Sequence, residues 1–141
     1  MKQNEIYVKL RIVEFDCDPE DITIDLRTQP TRTWLKGQLS TPKGGVKLKY
    51  NGWALSSSAD KHAEFKDHIK ALLDRIQPNI ERFERICNQY YTELSCAVYI
   101  YYGDESDRPW INFTKEELHL LDRLGAEIDF DIYTLPGDRK S

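Results

Sequence analysis

What this sequence lacks narrows its chemistry. Its three cysteines, Cys17, Cys87 and Cys96, are odd in number and no two fall in a C-x-x-C spacing. Neither a disulfide framework nor a zinc site is implied, and the thiols read as reduced structural side chains. The three histidines, His62, His68 and His119, form no H-x-x-x-H pair and none adjoins a cysteine, so no metal is expected and each reads as a surface or partly buried structural residue. Ser56-Ser57-Ser58 has no glycine frame for a nucleophile elbow, and Lys43-Gly44 lacks the phosphate-loop spacing. No residue set nominates an enzyme, and no cofactor is implied. No apolar run approaches the roughly 20 residues that cross a bilayer, and Met1-Lys2-Gln3-Asn4-Glu5 has no apolar signal region. A cytoplasmic protein without membrane contact is expected.

What is present describes one ordinary domain. The 141 residues are 40% apolar, 31% charged and 11% aromatic, with a formal net charge of −4. Such a chain buries a sizeable core without staples. We expect a single domain over residues 1–135 and a polar, frayed tail over 136–141.

Periodicity supplies the elements. Ile6, Val8, Leu10 and Ile12 alternate with Tyr7, Lys9, Arg11 and Val13, the pattern of a half-buried strand. Asp18-Pro19-Glu20-Asp21 starts a short helix to about Leu26: an N-cap aspartate, a proline at the first helical position, carboxylates in the first turn. Residues 31–37 and 46–50 read as strands joined through Thr41-Pro42-Lys43-Gly44-Gly45, and Asn51-Gly52 as a hairpin turn into a strand with Trp53 and Leu55. Phe65, Ile69, Leu72, Leu73 and Ile76 recur at helical spacing, Pro78 stops that helix, and Ile80, Phe83, Ile86 and Tyr90 mark the next. The apolar run 94–102 suits a central strand. An acidic loop follows from Gly103 to Pro109, then a short strand from Trp110 to Phe113. Thr114-Lys115-Glu116-Glu117 is a capping box opening a helix that Gly125 closes, and residues 126–134 alternate as a last strand. The order predicts an α+β fold: a largely antiparallel sheet with helices on one face, its two halves having ferredoxin-like arithmetic.

Charge is unevenly distributed along this order. From Ile12 to Leu26 there are six acids and no base; from Arg27 to Ala59 there are six bases and no acid. Within the basic block Arg32, Trp34 and Lys36 share one strand face, and Lys47 and Lys49 share a face of the next. If those strands pair, the five residues form one exposed platform suited to anions and stacking. On the last strand Glu127, Asp129 and Asp131 share a face, a secondary acidic surface. It would complete a charge ladder with Lys9 and Arg11 if the first and last strands were neighbours.

Several stretches taken together resemble a bacterial family known as domain of unknown function 4279. They are Pro30-Thr31-Arg32-Thr33-Trp34 with Lys36-Gly37, Gly52-Trp53-Ala54-Leu55, Leu72-Leu73 through Ile76 to Pro78, and Phe113-Thr114-Lys115-Glu116-Glu117-Leu118 running on to Leu124-Gly125-Ala126-Glu127-Ile128-Asp129-Phe130-Asp131-Ile132-Tyr133. The resemblance implies a small bacterial cytosolic domain and carries over no catalytic residue. Two expectations follow. The first is a non-enzymatic protein-interaction module of the inhibitor or toxin-neutralising type. The second is a binder of an anionic small ligand or nucleic acid through the 32–49 face.

Overall fold

Alternation along β1 (Glu5–Phe15) sets the architecture, because it gives this strand one apolar side and one polar side. In the computed structural model, which describes residues 3–103 and 108–137, Ile6, Val8, Leu10 and Ile12 are buried beneath the helices. Near its end β1 carries a bulge: Glu14 sits at φ 66 and the register shifts between Val13 and Phe15. One extra residue inverts the parity, so Phe15 joins the core that alternation alone would have denied it.

The other elements follow from their local signals. Helix α1 (Pro19–Leu26) starts where the Asp18 carboxylate accepts the Glu20 N–H at 2.9 Å. Strands β2 (Arg32–Trp34), β3 (Leu39–Thr41), β4 (Gly44–Lys47) and β5 (Asn51–Ser56) lead to α2 (Phe65–Ile76). A 3-10 turn around Pro78 joins α2 to α3 (Ile80–Gln89), and β6 (Tyr91–Tyr102) follows. Both halves of the capping box at Thr114 and Glu117 are formed at the start of α4 (Lys115–Arg123), and Gly125 closes that helix at φ 66. The chain ends in β7 (Glu127–Pro136).

The fold is α+β. Its main sheet runs β2-β5-β1-β6-β7, antiparallel except for the parallel pair β6 and β7, with β3 and β4 as a separate hairpin. Phe65, Ile69, Leu72 and Ile76 of α2, with Phe83, Ile86 and Cys87 of α3, form the core with Leu121 and Leu124 and the inner sides of β1, β5 and β6. Trp53 is wholly buried there, edge-on to Phe83 at 6.2 Å, and its indole N–H donates to Thr23 Oγ1 at 3.0 Å.

Several expectations need correction. Leu73 is only partly buried, because it lies at the margin of the α2 stripe. No strand forms at Trp110–Phe113; Trp110 is 85% exposed, and one aromatic pair without a partner strand has nothing to pair with. Asn51-Gly52 makes no turn: both residues lie within β5. The Asn51 side chain instead ties two loops, accepting the Lys36 N–H at 2.8 Å and donating to the Cys17 carbonyl at 3.2 Å. The expected acidic loop falls partly, and the frayed tail mostly, outside the described residues.

Candidate functional site on the open sheet face

The helices cover one face of the sheet, and register fixes what stands on the other. Crossing from β2 to β7, one row reads Arg32, Ala54, Arg11, Glu93, Glu127, and the next reads Ser56, Lys9, Ser95, Asp129. A third runs Tyr7, Ala97, Asp131, and a fourth Glu5, Tyr99, Tyr133. Cations therefore stand on β2 and β1, small residues floor β5 and part of β6, and carboxylates line β7.

Trp34 dominates the basic end. Its indole lies over Gly52, where a Cβ would run into the ring, so the glycine that reads as a turn is there to admit a tryptophan. The guanidinium carbons of Arg32 and Arg11 lie 5.4 and 5.7 Å from the ring centroid, within cation–π range. Arg11 also donates to Glu93 at 2.5 Å, and the Tyr91 hydroxyl donates to the other Glu93 oxygen at 3.0 Å. That bond to a carboxylate is the first cause that lifts the Tyr91 phenol to about 12. Lys9 is half-buried, and its ammonium is pushed below its usual range first by burial and then by Arg11 and Arg32.

The expected platform is thus only partly assembled. Arg32 and Trp34 share β2, but β2 pairs with β5, not with the strand carrying Lys47. Lys47 closes β4 in the separate hairpin, Lys49 follows it, and Lys36 lies in the turn after β2; all three are exposed. The platform's remaining cations come from β1, as Arg11 and Lys9. Their alternation is plain in the sequence, but which strand flanks them is not.

The acidic row is likewise placed differently. Glu127, Asp129 and Asp131 do share a face of β7, yet β6 separates them from Lys9 and Arg11, so no direct ladder forms. The separation is two strand spacings, roughly 10 Å. Among the described residues none of the three carboxylates, and not Lys9, has an ion-pair partner.

A concavity of about 560 Å³ runs along β1 from the 56–61 segment, with Lys61, across Lys9 and Tyr7 to Ser95, Ala97 and Tyr99 of β6 and Asp131 of β7, and the buried His68 also lines it. Its far end is aromatic: Tyr99 and Tyr133 stack at 4.9 Å and 17°, and Tyr7 meets Tyr99 edge-on at 5.9 Å. The Tyr7 hydroxyl donates to Glu5, which lifts that phenol to about 12.

Cys17, Cys87 and Cys96 are free thiols, and burial pushes Cys87 and Cys96 up to about 12. His62 precedes α2 and contacts the Asn4 carbonyl at 3.0 Å. His68 is a correction to the sequence reading, since it is 2% exposed. Its Nδ1 lies 2.9 Å from Ser57 Oγ, and Nε2 has no partner among the described residues. Ser57 also accepts the Ala59 N–H at 3.1 Å, so its hydroxyl is a linchpin of the 57–60 turn. Among the described residues no group of three or more His, Cys, Asp or Glu side chains is arranged to hold a metal, and no helix is long and apolar enough to cross a membrane.

Residues 4–135 match the family model described as Domain of unknown function (DUF4279). No curated protein and no solved structure matches the chain.

Proposed function

Because the chain belongs to that family of unknown function, matched over nearly its whole length, we propose its role from its own surface. It is a non-enzymatic protein-interaction module that docks an acidic partner on the basic end of its open sheet face. One observation carries the reading: Trp34 sits between two guanidinium groups on a sheet face that no helix covers. Tryptophan, tyrosine and arginine are the side chains that most often dominate binding energy at protein interfaces. The exposed Lys36, Lys47 and Lys49 extend the positive field toward the hairpin and serve encounter rather than affinity. An inhibitor or toxin-neutralising role in a bacterial cytoplasm fits such a surface.

A second reading rests on the same cluster: an indole flanked by cations also receives phosphate-bearing ligands or nucleic acid. Affinity capture from cell extract separates the two, comparing the parent with an Arg32→Glu, Trp34→Ala variant. The expected result is a saturable protein partner held by the parent and lost by the variant, with an association rate that falls as salt rises. Capture of nucleic acid with a steep salt slope would favour the second reading. Equal retention by the parent and a folded variant would refute both.

A further inference from the structure

The concavity along β1 carries charges of opposite sign in its lining, Lys9 and Lys61 against Asp131, that form no ion pair with each other. On the β1 side stands Lys9, half-buried between Ser56 and Ser95, its direct cross-strand neighbours. On the β7 side stands Asp131, opposite Ala97; Asp129, opposite Ser95, lies outside the lining. Ser95 and Ala97 are small, so the floor between the walls is low. The Arg11–Glu93 ion pair occupies the next row on one side, and the stacked Tyr99 and Tyr133 close the other. A volume of about 560 Å³ lies within the range of small-ligand sites.

We propose that this trough binds a small zwitterionic amino compound, an amino acid or short peptide, its carboxylate on Lys9, its ammonium on Asp131 and its apolar side chain against the tyrosine end. Opposed walls decide between the ligand classes. A simple anion satisfies Lys9 and Lys61 but leaves Asp131 facing it without a counter-charge. A simple cation satisfies Asp131 but faces Lys9 and Lys61. Only a ligand with both charges meets both walls, and the hydroxyls of Ser56 and Ser95 flank the carboxylate end as donors. The crowding of Lys9 by burial and by two arginines makes an arriving carboxylate favourable there. This site shares Lys9 with the basic platform but lies apart from the Arg11–Trp34–Arg32 cluster, and Ser95, Ala97 and Asp131 take no part in that surface.

Backbone amide shifts of Ser95 and Ala97, followed by NMR on the intact protein, test the proposal. The probes are L-phenylalanine and glycyl-L-phenylalanine, which distinguish an amino acid from a dipeptide. N-acetyl-L-phenylalanine, without the ammonium, and L-phenylalanine amide, without the carboxylate, are the blocked forms. At least one zwitterion should titrate saturably, with both blocked forms about tenfold weaker or more, as loss of a charge-assisted contact implies. Lys9→Met should abolish the preference for the free acid over the amide, and Asp131→Asn the preference for the free amine over the acetylated form. Equal binding of the acetylated form would make this an anion site and overturn the assignment. So would the absence of shifts with any probe at millimolar concentration. The blocked probes act on the parent protein, so the test survives a variant that fails to fold.

Discussion

Thr23 and Trp53 are joined by a buried hydrogen bond between the first helix and the central sheet. Thr23→Val keeps the shape but orphans the indole N–H, which should cost about 1–3 kcal/mol. Urea unfolding measures the loss, and in a Trp53→Phe background, where no donor remains, most of it should vanish. His68 carries the pH dependence. Burial holds its pKa below the usual value of about 6.5, and the neighbouring Asp60 and Asp67 oppose that only in part. The unfolded chain therefore binds more protons in the window below about pH 6.5, and stability drops as the pH is lowered through that window until the folded-state pKa is passed. Unfolding free energies from about pH 7.5 to about pH 5 should show this slope, and His68→Gln should flatten it. Little of this was legible beforehand. His68 read as a surface or partly buried residue because its partner, Ser57, lies across a turn whose shape the sequence does not reveal. Gly52 read as a turn because an Asn-Gly pair is a strong local signal, whereas the indole that displaces a side chain there comes from another strand.

Helices announced themselves because their signals are local. The α2 stripe apart from Leu73, the Asp18 cap and the Thr114 capping box recur in the structure as the spacing predicts. Leu72→Ala should cost about 2–5 kcal/mol in chemical denaturation, since Leu72 is 1% exposed inside the core. Thr114→Ala should cost about 0.5–2 kcal/mol by the same measurement, by leaving the Glu117 N–H without its cap. Strand partners were not legible, because pairing is decided by the whole sheet. The basic block was visible as a block, but the sequence could not say that β2 would choose β5 and leave β4 to β3. The same gap hid the trough: Lys9 and Asp131 were both noted as polar-face residues, and only β6 between them makes a site.

At the scale of the molecule, one core cluster draws on α1, α2, α3, α4, β1, β5 and β6. Tryptophan fluorescence and far-ultraviolet circular dichroism should therefore report one coincident unfolding transition. The β3–β4 hairpin stands outside that core, with no buried residue in either strand. Its amides should exchange with solvent by local opening, well before those of β1. The position of β1 also bears on how the protein is made. It is made before the other strands of its sheet, yet it lies in the middle of that sheet, between β5 and β6. During synthesis one edge waits for residues 51–56 and the other for residues 91–99. At roughly 5–20 residues per second that wait lasts seconds, with an apolar strand exposed throughout. A chain stopped after Gln89 should accordingly be insoluble, as sedimentation of the truncated product would show. The apolar side of β1 is thus committed to partners that the chain has yet to make.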